Sequence, residues 1–570
     1  MCNINRWLFL WLQISIAAHA FTTTPPVRSG GSVRSTNVHS GSTAATTNFM
    51  TYTTGTTTDS DEDDAAIFST QDDNGKQTTK DQFDWFKTWY PLVPIEILDT
   101  ERPHRFQLLG QDVVVWNDGP VHGHALFGSK KKRPKHAERT QGTWRAFVDE
   151  CPHRKVPLSE GRIEDDGTLL CSYHAWRFDG TGRCVSIPQL NGADPLLDSI
   201  RSNPKTRCNS FPTKVINGVL FVWPSSDEDA VLESELTPVP HRPSQRGSSS
   251  GEGENNDNNN NSNNNNVWEG PWNFRLLPYG ADYFIENVVD PAHVTVSHHN
   301  VVGDRYGNQE MIILTGEKLT KDGFSIEVTS PMNPKPSTTT FLAPSLVAID
   351  AGVGDTGARQ TLELYVSPSS PGFCNHVGRM VIRKGTDGSM PKLLRQFTLP
   401  MPKWLNHVLA SAFLNQYALF LHHQERSLAQ SGQYKSVLTD GESPYHYTKA
   451  VYPLNSDKGV IQFRNWIRQL AGGAVPYKNN RTLMPAASNE VVFDVWDAHT
   501  RHCRYCQVAL RRLKRVRFVS FLVAAVLGVV RPLGRSGSLV ATLGAAGTGL
   551  VLHRLIGMFY RYEFSHAHND

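Results

Sequence analysis

The sequence predicts an α+β chain in three parts: an all-β domain, a mixed α+β domain, and a C-terminal apolar helical hairpin. Three observations predict this. Between residues 85 and 235 the chain runs in short β-rich stretches, "FQLLG", "DVVVW", "TWRAFVD" and "GVLFVW". Gly, Pro and Asp punctuate them, as in a small antiparallel sandwich or barrel. From residue 268 to 500, strand-like runs ("SIEVTS", "TTTFLAP", "TLELYVS") mix with helix-like stretches at 404–425 and 459–470, the pattern of an α+β layer structure. Two apolar segments, 518–530 and 539–552, then close the chain.

The N-terminal segments carry an address. Arg6 precedes the apolar run "WLFLWLQISIAA", and "AHA" offers small residues for cleavage, so residues 1–20 are expected to be a signal peptide. Residues 21–58 are rich in Thr, Ser and Gly, hold Arg28 and Arg34, and have no Asp or Glu, which is transit-peptide composition. A secreted protein with a Thr-rich stalk is the other reading. The acidic "DSDEDD" opens a flexible tail at 59–84. Residues 236–267, with "NNDNNNNSNNNN", cannot build a core and are expected to be a disordered linker. Residues 501–516 hold a Cys-x-x-Cys and basic residues, and 517–558 form the hairpin. Each apolar segment is shorter than the roughly 20 residues of a free-standing span. As a pair they are expected to form a membrane hairpin, against a buried or interfacial helix pair.

Net charge is +3 over 570 residues, which points away from a nucleic-acid partner. The basic run "KKKRPK" at 130–135 reads as a solvated loop. Of eight cysteines, Cys151, Cys171, Cys503 and Cys506 lie in short motifs with His or another Cys. That is a metal or redox pattern and not the framework of a small secreted domain. Cys184, Cys208 and Cys374 are expected to be buried thiols, and Cys2 to leave with the signal peptide.

"CPHRKVPLSEGRIEDDGTLLCSYH" pairs Cys151 with His153 and Cys171 with His174. Structural zinc sites usually keep Cys with Cys and His with His. Here each pair mixes the two. That suits a [2Fe-2S] cluster in which one iron takes both Cys and the other both His, with a reduction potential of about −150 to +300 mV. A second cluster, "ENVVDPAHVTVSHHN", places Asp290 one helical turn before His293, with His298 five residues further on. Its chemistry matches a mononuclear non-haem Fe(II) site. Near the end, "HTRHCRYC" sets His499 and His502 beside Cys503 and Cys506. Arg501 and Arg504 favour a lowered thiol pKa, so the pair is read as a redox switch, with a zinc site or a structural role as alternatives.

"WYPL", the Cys/His motif, "NVVDPAHVTVSHH" and "CRYC" followed by apolar segments together resemble the plastid Rieske non-haem iron oxygenases. That group contains pheophorbide a oxygenase, chlorophyllide a oxygenase and the Rieske protein of the inner-envelope translocon, and the resemblance covers about 85–560. It implies a Rieske domain, with Pro188 in its covering loop, and a helix-grip catalytic domain. It implies iron at His293 and His298, with Asp290 linking it to His153 or His174 of a neighbouring subunit in a homotrimer. It implies a ferredoxin-type donor, a chlorophyll-type tetrapyrrole substrate, and thioredoxin acting on Cys503/Cys506. A sterol or carotenoid substrate, or a non-catalytic redox-sensing role in the translocon, are the alternatives. The presequence resembles the bipartite leader of secondary plastids, so the expected place is a thylakoid or inner-envelope membrane. The pattern breaks at the third iron ligand. The family supplies an Asp before an "LHxQE"-type sequence, whereas "FLHHQER" follows Asn415-Gln416-Tyr417 here. Glu425 is the nearest acid and the expected ligand, with Asn415 as a neutral substitute.

Overall fold

The computed structural model describes residues 70–71, 77–78 and 82–565, apart from 122–140, 191–193, 243–265, 300, 302–303, 308–309, 317, 331–332, 354–355, 396, 431–449, 479–481 and 530–535. The expected leader, the Asn-rich linker core and the basic run at 130–135 lie outside the described residues. Everything from Phe83 onward belongs to one compact unit.

The first third of that unit is all β apart from short helical pieces. One antiparallel sheet takes Ser210–Phe211, Trp144–Val148, Gln111–Asn117 and His104–Leu108 in that order. Another takes Thr213–Ile216, Val219–Val222 and Tyr90–Pro94. A third, of two- and three-residue strands, orders Cys184–Ser186, Arg177–Phe178, Leu169–Leu170 and Arg162–Ile163. Several of their inward residues are β-branched or aromatic: Val114, Trp116, Phe147 and Phe178 form one core with Cys151 and Cys171.

An eight-stranded antiparallel sheet follows, running from Val267–Glu269 at one edge to Ile312–Gly316 at the other. Its strands alternate as half-buried strands must. In Gly323–Ser330, Phe324, Ile326 and Val328 are buried while Ser325, Glu327 and Thr329 are partly exposed. Helices α1 (Ala281–Val289) and α2 (Ala292–Ser297) sit before the long strands, and α3 (Lys403–Leu428) and α4 (Lys458–Leu470) after them. Of these, α3 is 26 residues long and buried at Val408, Ala412, Tyr417 and Leu421. It crosses the sheet, and the wholly buried Arg275 on strand Asn273–Leu277 donates to the Ser411 carbonyl (2.7 Å). Sheet and long helix together are the α+β arrangement the sequence predicts.

Two antiparallel helices, α5 (Arg504–Val529) and α6 (Ser536–Gly557), end the chain. Phe521 lies against Gly549, where any side chain would collide with its ring. Small residues at such a crossing let the helices approach closely. Outward, Phe518, Leu522, Val526, Val540, Leu543 and Leu550 are exposed. Leu539–Gly557 is long and apolar enough to cross a membrane by length and composition.

Candidate metal centres

The Cys/His pairs sit on two loops of the same shape. The Cys151 N–H donates to the Val156 carbonyl and the Lys155 N–H to the Cys151 carbonyl, both at 2.8 Å. The Cys171 N–H donates to the Trp176 carbonyl and the Ala175 N–H to the Cys171 carbonyl, both at 2.9 Å. Four residues after each cysteine the backbone turns left-handed, at φ 60° for Lys155 and 58° for Ala175. That conformation is uncommon outside glycine. Its recurrence at the same place shows each loop closing on its own cysteine. The cysteines are 1% exposed, whereas His153 is exposed and His174 partly so. The two imidazoles lie together, with ring centroids 4.7 Å apart, and His153 stacks on Trp176 at 4.6 Å. Burial, with Cys171 close by, pushes the Cys151 thiol up to about 12. Two buried sulfurs and two outward imidazoles fit a [2Fe-2S] cluster held sulfur side in and histidine side out. Pro188 is exposed, just after Ile187, which packs in the same core as Cys151 and Cys171.

The second centre forms at the junction of α1, α2 and α3. Asp290 ends α1 and its carboxylate accepts from the Ala292 N–H (2.8 Å), which starts α2. The Asp290 carbonyl accepts from His293 Nδ1 (2.5 Å). A carbonyl can only accept, so the His293 proton sits on Nδ1 and its lone pair on Nε2. His298 Nδ1 is held by Gln416 Oε1 (2.6 Å), from α3. These are the oxygen partners that orient a metal-binding imidazole. The ring centroids of His293 and His298 are 5.5 Å apart, and His298 stacks on Phe413 at 4.0 Å. Burial lowers the His293 pKa and raises that of Asp290. Both histidines line a cavity of about 440 Å³, bounded by Val288, Val294, Leu362, Leu364, Leu409 and Phe413 among others. The one Arg among the described lining residues, Arg379, is answered by Glu363 (2.7 Å) and Glu269 (3.1 Å).

From α3, Tyr417 packs beside both histidines, its ring 6.1 Å from His293 and 5.3 Å from His298. Its hydroxyl is in the field of Arg275 and Tyr279, and burial raises its pKa. The expected ligand Glu425 lies elsewhere. It is eight residues further along the same helix, about 12 Å at 1.5 Å per residue. Its carboxylate accepts from the Gly280 N–H (3.1 Å) and Arg426 Nη1 (2.8 Å), and burial pushes it up to about 8. Glu425 thus holds the start of α1. Asn415 points the other way, its Nδ2 donating to the Tyr562 carbonyl (2.5 Å). No carboxylate is among the described residues lining the cavity. The donor set therefore fits iron at two imidazoles, without the acid of the usual facial triad.

Sequence comparison bears on both centres. The Rieske [2Fe-2S] domain signature matches residues 88–205, and the pheophorbide a oxygenase signature matches residues 341–435. Pheophorbide a oxygenase of Oryza sativa subsp. japonica is 30% identical over 433 residues, covering 74% of this chain and 72% of that protein. The chain belongs to the pheophorbide a oxygenase family of Rieske non-haem iron oxygenases. Flavonoid 8-hydroxylase 2 of Ocimum basilicum is 28% identical, covering 74% of this chain and 73% of that protein. The protochlorophyllide-dependent translocon component 52 of Arabidopsis thaliana is 24% identical, covering 74% and 72%. As a Rieske oxygenase the chain is an oxidoreductase with a [2Fe-2S] cluster and a mononuclear iron centre, and it draws electrons from an outside donor for a lipophilic substrate.

The Cys-x-x-Cys lies at the root of the hairpin and is fully buried. His502 stacks on Phe106 at 5.4 Å, away from the sulfurs. His499 does meet them, and so does His407 of α3, which the sequence motif does not contain. The signals sequence reading lacked are those of α3. Asn406, Ala410, Phe413 and Tyr417 recur at helical spacing toward the cavity, while His407, Ser411 and Asn415 recur on the opposite side.

Proposed function

We propose that this chain oxidises a chlorophyll-type tetrapyrrole with O2 at a plastid membrane, drawing electrons from a ferredoxin-type donor. The observation that carries this reading is the cavity, apolar over most of its wall and ending at His293 and His298. Arg379, the only Arg among the described lining residues, is already neutralised, so the wall suits a flat lipophilic ring better than a small anion. Bound iron would supply O2 activation. His293 and His298 would hold it by Nε2, with the Asp290 carbonyl and Gln416 fixing the two rings. Cys151, His153, Cys171 and His174 would hold the cluster. The exposed His153 suits reduction from outside and transfer to another subunit. The homotrimer, with Asp290 as the bridge between subunits, belongs to this proposal. So do residues 85–235 as the Rieske domain, 268–500 as the oxygenase domain, 517–558 as a membrane hairpin, and the bipartite leader of a secondary plastid.

The test is O2 uptake by the purified full chain with a reduced ferredoxin-type donor. Pheophorbide and chlorophyllide are compared with a flavone, a sterol and a carotenoid. Uptake and product with a tetrapyrrole support the proposal. Turnover of only the other rings moves the substrate class. An intact cluster signal with no mononuclear iron leaves the redox-sensing role.

A further inference from the structure

His407, His499, Cys503 and Cys506 are 1%, 2%, 0% and 0% exposed. One ligand atom from each lies within 4.8 Å of all the others. His407 Nδ1 is 3.3 Å from Cys503 Sγ and 3.5 Å from Cys506 Sγ, and His499 Nε2 is 3.3 Å from Cys506 Sγ. A zinc ion bound at about 2.3 Å to sulfur and about 2.0–2.1 Å to nitrogen sets tetrahedral N···S edges of about 3.5 Å. The observed separations match those edges.

We propose that these four side chains form a structural zinc site, separate from both iron centres. The tautomer of His499 is set for it: Nδ1–H donates to the Phe274 carbonyl (2.6 Å), which leaves the lone pair on Nε2 beside the sulfur. His407 offers Nδ1 instead, and its Nε2 has no hydrogen-bond partner. Two thiolates, two neutral imidazoles and Zn²⁺ sum to zero charge, which a wholly buried site requires. Dithiol exchange needs an accessible sulfur, and neither sulfur is exposed. Four protein ligands close the tetrahedron, as in structural and not catalytic zinc sites. The site joins three elements: α3, which also carries Phe413 and Tyr417; the turn Trp496–Thr500, tied to strand Asn273–Leu277; and the first turn of α5. Zinc there pins the apolar hairpin to the helix that backs the iron histidines.

The test uses the full chain as purified, with metal content by mass spectrometry and X-ray absorption at the zinc edge. The expected result is one zinc per chain in addition to iron, with two sulfur and two nitrogen neighbours. Cys503→Ser should lose zinc while the [2Fe-2S] spectrum stays. His499→Cys should keep zinc and shift its shell to three sulfurs and one nitrogen, a readout independent of turnover. Zinc below about a tenth per chain, a Cys503–Cys506 disulfide in the isolated protein, or full zinc retention in Cys503→Ser would each overturn the site.

Discussion

The two proposed iron centres are built in opposite ways. The cluster cradle is local: two loops, 151–156 and 171–176, each hydrogen-bonded to its own cysteine and each turned by a left-handed residue four positions on. The mononuclear centre is assembled at a distance. Its histidines come from α2 and its C-terminal end, but Gln416, Phe413 and Tyr417 arrive from α3, more than a hundred residues later. Where the backbone of one short segment fixes every ligand, spacing alone reveals the site. Where a second element supplies the support, spacing reveals only the half that is contiguous.

The sharpest way to break this comparison is to remove one ligand from each centre. Cys171→Ser should abolish the cluster's electron-spin signal and all turnover, while iron at His293/His298 remains. His298→Ala should abolish turnover with the cluster signal unchanged. Total iron separates them: a fall of two atoms per chain in the first and one in the second. If His298→Ala also erased the cluster signal, the two centres would not be independently folded.

A smaller effect is expected at Asp290, the proposed bridge. Asp290 caps the passage from α1 to α2 and positions His293 through its carbonyl, which any residue can supply. Its carboxylate is the part open to a role in transfer. Asp290→Ala should keep both metals and slow turnover by about 10- to 100-fold, the usual range for a group just outside the ligands. Stopped-flow reoxidation of the reduced cluster reads the step directly, and an unchanged rate would remove Asp290 from the electron path.

Tyr417 sharpens the comparison further. Its ring packs against both histidines from α3. Tyr417→Asp should raise iron retention through gel filtration or mild chelation, whereas Tyr417→Phe should leave it near the unmodified level. A loss of iron in Tyr417→Phe would instead make the phenol a ligand.

The legibility of each part follows the same logic. The β runs and the 26-residue helix are set by local periodicity and turn chemistry, and both are readable in the sequence. The sequence expectation for that helix, 404–425, falls inside the observed Lys403–Leu428. Glu425 stands apart from the histidines, held by the Gly280 N–H and Arg426, because nearness along the chain is not nearness in space. On a helix, eight residues are two turns, and only the residue on the cavity face counts. His407 was invisible for a related reason: it lies 96 residues before Cys503, and an isolated His in "NHVLASAF" carries no metal spacing.

The smallest expected effect belongs to that acid. Glu425 is buried beside Asp282, and despite Arg426 and the Gly280 N–H its pKa rises to about 8. Between about pH 4.5 and 8 the folded chain then holds a proton that the unfolded chain, near the ordinary 4.3, has released. Stability therefore falls as pH rises through that window, by at most about 1.4 kcal/mol per pH unit for one proton. Glu425→Gln keeps the shape and removes the titration. Its unfolding midpoint should depend less steeply on pH across the window, with iron per chain and turnover unchanged. Loss of iron in Glu425→Gln would return the carboxylate to the metal.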